Sequence, residues 1–320
     1  MNLEKIFITG GAGFIGSAIT ESFVQRGHEV TVYDDFSRGS KRRLRHLDNV
    51  HLVNGDIRDF DSLKKALTKN EFKTVVHLAY INGTQNFYSR PKEVLDVALI
   101  GMQNIIKVVS SVGIKRFFLA SSSEVYQNPG IFPTPEEISL VVPNPNNPRY
   151  SYGLGKIVQE FMALHYLSNM EQVIIFRPHN IYGQDMGFGH VIPELFAKIS
   201  KSSQEGITLK GDGKQTRSFC HIDDFIRAFQ TLYSINVGSG IYNIGSKDEV
   251  NILNLATLIS NLYGGNKKFI LTPEPLGETT RRLPDLSKIE KLGYSPKVSL
   301  TEGLDKYFTW YSSISNELDI

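Results

Sequence analysis

Short apolar runs alternate with amphipathic stretches through the first half of this chain. The apolar runs predict strands at about residues 5–9, 29–33, 50–53, 73–78, 115–121 and 172–177. The amphipathic stretches predict helices at about 14–26, 61–69, 91–112 and 151–169. Strands that alternate with helices form parallel βαβ units, with helices on both faces of the sheet. The pattern therefore predicts an α/β fold built on a doubly wound parallel sheet.

This alternation weakens after about residue 180, where glycine turns and one helical stretch at 252–263 precede a turn-rich segment at 272–284. Prolines between Pro129 and Pro148 also interrupt the pattern and predict an ordered surface loop, because proline cannot donate to a ladder and disfavours helix. We therefore expect two domains. Residues 1–180 form the larger one, and residues 181–320 form a smaller lobe from which part of the chain returns to the first domain.

Composition excludes several classes of protein. The 320 residues are 41% apolar and 21% charged, as in ordinary globular proteins, and a net charge of +2 gives no electrostatic argument for nucleic acid. The single cysteine, Cys220, rules out an internal disulfide and fits a reducing cytosol. No apolar run is long enough to span a bilayer, and the N-terminus leads directly into a strand. We expect a cytoplasmic protein without a membrane or nucleic-acid partner, and we assign no metal site.

A glycine-rich turn, Thr9-Gly10-Gly11-Ala12-Gly13-Phe14-Ile15-Gly16, joins the first strand to the first helix. Such a turn lets backbone N–H groups approach a phosphate, and the helix N-terminus adds partial positive charge. Asp34 and Asp35 end the second strand, at the position about 20 residues on where a dinucleotide fold places its ribose ligand. The turn therefore predicts a bound dinucleotide. The basic run from Lys41 to Arg45 is either a solvated helix face or a contact to a cofactor phosphate.

Tyr152 and Lys156 lie four residues apart and so share one face of a predicted helix. An ammonium beside a phenol favours the phenolate, which makes the tyrosine usable as a base for a substrate hydroxyl. The polar segment from Ser121 to Tyr126 follows a buried strand. Ligands bind at the carboxyl ends of strands in open α/β sheets, so this segment is a second candidate part of the site.

With these motifs the chain resembles the extended short-chain dehydrogenase/reductases, specifically the NAD-dependent nucleotide-sugar epimerases and dehydratases, whose fold is Rossmann-like. The resemblance covers nearly the whole chain. The motifs that carry it are Thr9 to Gly16; Tyr33-Asp34-Asp35 with Arg38-Gly39; Gly55 to Asp59; His77-Leu78-Ala79; Ser121 to Tyr126; Tyr152 to Lys156; Arg177 to Gly183; Gly211-Asp212-Gly213 with Arg217-Ser218-Phe219; and Arg281 to Asp285.

The resemblance implies the cofactor NAD, a nucleotide-sugar substrate and a homodimer built through the helices at 91–112 and 151–169. It implies that Asp34 binds the adenosine ribose, that Asp56 and Ile57 flank the adenine, and that Lys156 holds the nicotinamide ribose. The implied cofactor-binding residues are Gly10, Gly13, Phe14, Ile15, Gly16, Asp34, Asp35, Arg38, Asp56, Ile57, Leu78, Ala79, Tyr152 and Lys156. The implied catalytic residues are Ser122, Glu124, Tyr152 and Lys156. The implied substrate-binding residues are Tyr80, Ser123, Asn180, His190, Val191, Arg217 and Arg282.

The chain departs from the family pattern at three positions. It has Ala98 where asparagine is common, Gln127 where a glycine often follows the strand-end tyrosine, and Tyr80 where the family usually has a second alanine. None of these changes removes the base or the glycine turn. They indicate an unusual substrate pocket. A structural role is favoured for His190, although it lies in the segment that lines the sugar pocket in relatives.

Glu124 discriminates among the reactions of this family. Ser122-Ser123-Glu124 resembles the Thr-Ser-Glu of GDP-mannose dehydratases and UDP-glucuronate decarboxylases, and also the Thr-Asp-Glu of dTDP-glucose dehydratases. All begin with oxidation at carbon 4, after which a carboxylate can take the proton from carbon 5. We expect elimination of water, as in a 4,6-dehydratase, with a 4-epimerase as the alternative. Decarboxylation ranks lower, because decarboxylases typically carry arginine at the position of His190, and so does a non-catalytic NAD-binding protein.

Overall fold

The computed structural model describes residues 3–187, 189–201, 206–235, 237–265, 267–273 and 279–314. Its strands, in chain order, are β1 (Lys5–Thr9), β2 (Glu29–Asp34), β3 (Val50–Asn54), β4 (Thr74–His77), β5 (Arg116–Ala120), β6 (Gln172–Pro178), β7 (Ile181–Tyr182), β8 (Ile207–Lys210), β9 (Thr216–Ser218), β10 (Cys220–His221), β11 (Gly240–Ile244), β12 (Glu249–Asn251), β13 (Phe269–Thr272) and β14 (Arg281–Arg282). Its α-helices are α1 (Phe14–Val24), α2 (Phe60–Thr68), α3 (Thr84–Ser89), α4 (Pro91–Asp96), α5 (Met102–Val109), α6 (Ser151–Tyr166), α7 (Val191–Lys201), α8 (Ile222–Ser234), α9 (Ile252–Leu262), α10 (Ser287–Glu290) and α11 (Leu300–Ile314).

The main sheet has the order β11-β6-β5-β4-β1-β2-β3 among the described strands. Neighbouring strands from β3 to β6 pair in parallel. The chain runs outward from β1 through β2 to β3 and then, on the other side, from β4 through β5 to β6, which is the doubly wound order. The predicted fold class is therefore confirmed. The order reverses between β1 and β4, where open α/β sheets bind their ligands outside the strand ends.

The helix expected over residues 91–112 differs from the observed structure. A π-helical turn over Val97–Gly101 separates α4 from α5, and α5 ends at Val109. A π turn leaves a backbone carbonyl without its usual helical donor. The Ala98 carbonyl accepts a hydrogen bond from Gln159 Nε2 of α6 at 3.3 Å. The helix thus continues through a π turn whose Ala98 carbonyl contacts another helix, and the local sequence pattern contains no sign of this contact.

The described chain divides into two compact units. The first contains residues 1–127, 139–178 and 229–242. Its last segment is anchored within the unit, because Gln230 Nε2 donates to Ser22 Oγ at 2.7 Å and the Tyr233 hydroxyl donates to Glu4 at 3.1 Å. Residues 229–242 therefore belong to the first unit, although they follow residues of the second unit in sequence.

The second unit contains residues 128–138, 179–228 and 243–320. It includes part of the proline-rich stretch, whereas we expected all residues before 180 to belong to the larger domain. The reason is local bonding: Thr134 N donates to the Leu283 carbonyl at 2.8 Å, and Glu136 accepts from Asn243 N at 2.8 Å. Small sheets organise this unit, namely β7 with β10, β8 with β13, and β12-β9-β14. Part of the predicted turn-rich segment, residues 274–278, lies outside the described residues.

Over the part of the chain that the structure describes, no helix is both long and apolar enough to cross a membrane.

Candidate active site

The glycine turn lies at the carboxyl end of β1, beside the end of β4. Gly10 has a φ of +71°, which favours glycine, and a Cβ there would lie 2.6 Å from Ala79 N. A Cβ on Gly16 would lie 2.1 Å from the Gly10 carbonyl oxygen. Gly13 is the N-cap of α1, so the amides of Phe14 and Ile15 are in the first turn, where N–H groups have no intrahelical acceptor. The turn therefore presents free donors of the kind that bind phosphate.

Asp34 is held at the end of β2 by backbone donors. Its two carboxylate oxygens accept from Ala12 N at 2.9 Å and from Phe36 N at 2.8 Å. Burial raises the pKa of the Asp34 carboxyl. Each carboxylate oxygen has a second lone pair, so the group can still accept from ribose hydroxyls.

The other residues expected to contact the adenosine end differ in their surroundings. Asp35 is exposed and accepts from its own turn, through Ser37 N at 2.9 Å. Arg38 donates to the Asn82 carbonyl. The Asp56 carboxylate pairs with Arg58 at 2.5 Å. The backbone of Leu78 and Ala79 is held beside the end of β1, because both amides donate to Thr9 Oγ1 at 3.3 Å.

This arrangement fits NAD. The glycine positions exclude side chains where a pyrophosphate needs close approach to backbone, and a carboxylate follows at the ribose position of β2. The Arg43 guanidinium donates to the Ala12 carbonyl at 3.1 Å, so one residue of the basic run is bound to the glycine turn itself.

Tyr152 lies in the first turn of α6 within an aromatic enclosure. The Phe87 ring of α3 stacks on it with centroids 4.7 Å apart, and the Tyr80 ring meets it edge to face at 5.0 Å. Only 6% of Tyr152 is exposed. The enclosure fixes the ring and excludes water from its faces, which strengthens electrostatic effects on the phenol.

Lys156 is buried one turn further along α6. Its ammonium donates to the Ala120 carbonyl at 2.7 Å and to Gln159 Oε1 at 3.1 Å, and the Tyr80 ring covers it with the centroid 4.0 Å away. Burial lowers the pKa of Lys156 to about 7, while the Glu160 charge opposes this shift. We expected Tyr80 to bind substrate, but its hydroxyl is enclosed against Gly155.

A buried ion pair anchors the elements around this site. Arg177 of β6 binds Glu160 of α6 through two hydrogen bonds of 2.8 and 2.6 Å, and donates to the Tyr126 hydroxyl at 2.7 Å. Ser121, directly after β5, donates to the same carboxylate. The carboxylate of Glu160 thus connects α6, β5 and β6 at the strand ends.

The polar segment after β5 forms a 3₁₀ turn over Ser123–Tyr126. Ser122 caps it by accepting from Glu124 N at 3.2 Å. Ser123 is buried, whereas Ser122 and Glu124 are partly exposed. Gly153 of α6 lies close to this turn, because a Cβ there would be 2.9 Å from the Glu124 carbonyl oxygen. The turn and the first turn of α6, which carries Tyr152, are therefore packed together.

The remaining substrate residues belong to the second unit. Arg217 and Arg282 are paired neighbours on the parallel strands β9 and β14, and both bind Thr279: Arg217 its carbonyl at 2.5 Å and Arg282 its hydroxyl at 3.1 Å. Asn180 donates to the Ser218 carbonyl at 2.9 Å. His190 and Val191 lie at the start of α7. Two adjacent guanidinium groups suit phosphate recognition.

Sequence reasoning missed Phe87, Gln159 and Glu160. Glu160 follows Lys156 by four residues, so helical spacing could have indicated it. The contacts of Phe87 and Gln159 come from other elements and have no such signal. In the part of the chain that the structure describes, no group of three or more His, Cys, Asp or Glu side chains could hold a metal ion.

Comparison with known proteins agrees with this geometry. The model of the NAD dependent epimerase/dehydratase family matches residues 6–245. UDP-glucuronic acid decarboxylase 1 of Danio rerio is 34% identical over 316 residues, which are 97% of this chain and 73% of that protein. UDP-N-acetyl-alpha-D-glucosaminuronate decarboxylase of Bacillus cytotoxicus is 31% identical over 325 residues, 98% of this chain and 99% of that protein.

Solved structures show the same fold. A dTDP-glucose 4,6-dehydratase from Streptomyces venezuelae, with NAD and TYD bound, has a TM-score of 0.87 and 26% identity, and the match covers 98% of this chain and 99% of that one. A UDP-glucose 4-epimerase from Thermotoga maritima, with UDP-glucose, has a TM-score of 0.86 and 26% identity, with coverage of 97% and 99%.

Proposed function

The chain belongs to the NAD-dependent epimerase/dehydratase family of nucleotide-sugar-modifying enzymes, and we propose that it oxidises carbon 4 of a nucleotide sugar with Tyr152 as the base. NAD, when bound, supplies the acceptor for the hydride from carbon 4. The chain's residues would hold it through the turn from Gly10 to Gly16 and through Asp34. Ser122 would donate a hydrogen bond to the reacting oxygen.

The observation that carries this proposal is the placement of Tyr152 and Lys156 in successive turns of α6, with Tyr80 against both side chains. A cation in this enclosure stabilises the phenolate, because water is largely excluded and screening is weak. The phenolate takes the proton from the carbon 4 hydroxyl as the carbon–hydrogen bond breaks. Lys156 remains protonated through this step and would hold the nicotinamide ribose.

The nucleotide part of the substrate would be bound by the second unit. Arg217 and Arg282 would bind the phosphates, and Asn180 would contribute a further amide contact. His190 and Val191, at the start of α7, would line the sugar site. These roles rest on the resemblance and on the pairing of the two arginines across β9 and β14.

For the second step we propose decarboxylation of a nucleotide uronic acid as the first candidate. Two relatives that align with nearly the whole chain are decarboxylases of such acids, which reverses the order we derived from sequence. A ketone at carbon 4 is β to the carboxylate on carbon 5. The bond between carbons 5 and 6 can then break, carbon dioxide leaves, and the electron pair forms an enolate. Glu124 would return a proton to carbon 5, and hydride would return to carbon 4.

Elimination of water is the second candidate, and His190 favours it. Decarboxylases of this family typically have an arginine there, and this chain does not. In elimination Glu124 takes the proton from carbon 5, and the carbon 6 hydroxyl takes up a proton and leaves as water. Hydride then returns to carbon 6 and a proton returns to carbon 5. In either reaction Glu124 moves a proton at carbon 5, whereas simple 4-epimerisation leaves that carbon untouched.

Glu124→Gln tests the proposal. Glutamine keeps the size of the side chain but cannot carry the proton. With UDP-glucuronic acid and with hexose nucleotides, the wild type should form a product lighter by carbon dioxide or by water, as seen by mass spectrometry. The variant should lose at least about 10²-fold in this product, the lower range for a proton-transfer residue. The matched control is Glu137→Gln, an exposed glutamate paired with Lys288. A fully active Glu124→Gln enzyme that forms a product of unchanged mass would identify a 4-epimerase instead.

We also propose a homodimer. Apolar side chains are exposed on the π turn after α4 and on α6, including Leu99, Ile100, Leu154, Phe161 and Tyr166. An exposed apolar surface of this kind is typical of a contact between copies, and the family analogy places it on these helices. Light scattering should give about twice the mass of the 36.0 kDa chain, and Phe161→Glu should return it to the monomer mass. A wild-type monomer at micromolar concentration would contradict this. We propose a cytoplasmic location, which the lone Cys220 favours.

A further inference from the structure

We propose that Tyr80 is a positioning residue whose ring holds the Lys156 ammonium in its catalytic place and so keeps Tyr152 competent as a base. This inference rests on the proposed role of Tyr152 and extends it to a residue at which the chain departs from its family. It assigns the function to the aromatic face and not to the hydroxyl.

The first observation is that one ring contacts both members of the pair. The Lys156 Nζ lies 4.0 Å from the centroid of the Tyr80 ring, within cation–π range. The same ring meets Tyr152 edge to face at 5.0 Å. Tyr80 follows β4, whereas Tyr152 and Lys156 belong to α6, so the contact fixes the helix side chains from a different element.

The second observation concerns the hydrogens of the ammonium. Lys156 has three N–H donors, and two described acceptors are the Ala120 carbonyl and Gln159 Oε1. The negative face of the Tyr80 ring covers the ammonium on a further side. Gln159 is in turn fixed to the Ala98 carbonyl of the π turn. The two acceptors and the ring face therefore hold the ammonium together, and its third N–H donor can serve the nicotinamide ribose.

The third observation distinguishes the role of the Tyr80 ring from that of its hydroxyl. The Tyr80 hydroxyl is buried and has no hydrogen-bond partner among the described residues. It lies where a side chain on residue 155 would be, because a Cβ on Gly155 would be 2.1 Å from it. A phenylalanine at position 80 would keep the ring over Lys156 and remove only an unpaired polar atom. It is therefore a matched control.

The charged groups around Lys156 show why the ring face is needed to stabilise the ammonium. Glu160 on the same helix favours the charged ammonium, but Arg177 from β6 is bound to that carboxylate. His77 from β4 is neutral, since burial lowers its pKa to about 3. Arg38 interacts electrostatically with Tyr152. Burial alone favours neutral Lys156.

The loss of the ring face has a predictable sign. Without it the ammonium is less stable, so the pKa of Lys156 falls. A neutral Lys156 no longer stabilises the phenolate, so the pKa of Tyr152 rises. The two limbs of the pH dependence of kcat/KM report these groups, so the curve changes shape. A residue that only filled space would lower the whole curve and leave its shape unchanged.

The experiment compares Tyr80→Phe and Tyr80→Leu in the purified holoenzyme. The ionisation of Tyr152 is followed by tyrosinate absorbance, with Tyr152→Phe subtracted, and this titration needs no substrate. We expect Tyr80→Phe to titrate at the wild-type Tyr152 midpoint. We expect Tyr80→Leu to raise this midpoint by about one pH unit, a tenfold change in ionisation, and to change the shape of the kcat/KM profile. Tyr80→Met, which also lacks a ring face, replaces Tyr80→Leu if that variant does not fold.

Two results would overturn the inference. One is an unchanged Tyr152 midpoint when the ring face is absent, and the other is an equal shift in Tyr80→Phe, which would assign the effect to the hydroxyl. The proposed function fails separately. A midpoint that shifts as expected in an enzyme that turns over no nucleotide sugar would leave the role of Tyr80 in place and exclude the reaction.

Discussion

Aromatic side chains pack against the ring of Tyr152, and its hydroxyl oxygen is the polar atom that can react. Phe87 covers one face, Tyr80 meets the ring from the side, and the hydroxyl remains the reactive atom. Tyr152→Phe should therefore keep the fold and the binding of NAD while removing the base. We expect turnover to fall by about 10²–10⁴-fold, the usual contribution of a general base, as measured by product formation under saturating nucleotide sugar.

Tyr182→Phe is a control for that change, because it removes another buried tyrosine hydroxyl, one that donates to the Leu300 carbonyl at 3.4 Å within the second unit. It should leave turnover within a few-fold of the wild type. If Tyr152→Phe turns over as fast as this control, the assignment of the base is wrong.

Single residues were predictable from sequence where a local motif requires them. The glycine spacing in the sequence predicts both the positive φ of Gly10 and the close approach of Gly16 to the Gly10 carbonyl oxygen. Tyr80 shows the limit of that approach. Its departure from the family pattern was visible, but its position over Lys156 depends on the space above Gly155 and on the path of the chain after β4. The site assignments taken from the resemblance stay predictions until substrate is tested.

At the scale of elements, the Arg177–Glu160 pair connects α6 to β6 and to the segment after β5. Both side chains are almost fully buried, at 2% and 3% exposure. Glu160→Gln would leave the Arg177 charge without its counter-ion in a dry environment. We expect the free energy of unfolding to fall by about 3–5 kcal/mol, as measured by urea denaturation.

The exposed pair Lys115–Glu171 provides the comparison, with side chains 51% and 62% exposed. Glu171→Gln should change the same free energy by less than about 1 kcal/mol, because solvent screens surface pairs. Similar losses in the two variants would show that the buried pair does not anchor these elements.

The strands and helices of the first half lie close to their predicted positions. The apolar runs of the buried strands and the helical period of the apolar residues are both regular there. The π turn between α4 and α5 was not predicted, and the contact of its Ala98 carbonyl with Gln159 of another helix leaves no local pattern. The short strands of the second unit, such as β9 and β14, have too few residues for a periodic signal.

At the scale of the molecule, the family and the doubly wound sheet were predictable from the order of motifs. The division into units was less so. Residues 128–138 belong to the second unit through bonds of Thr134 and Glu136 to distant residues, and such pairings leave no local pattern. The sequence and the relatives rank the step after the proposed oxidation differently, because the reactions of this family begin in the same way.

We propose that the enzyme removes hydride from carbon 4 of a nucleotide sugar, and deuterium placed on that carbon provides a direct test. With UDP-glucuronic acid and hexose nucleotides labelled at carbon 4, the product should keep the label within the same sugar. Magnetic resonance would find it at carbon 4 after decarboxylation or epimerisation, and at carbon 6 after elimination. Tyr152→Phe should suppress this product. A product formed with the original carbon 4 bond intact, shown by the absence of any isotope effect and of any dependence on Tyr152, would contradict the account.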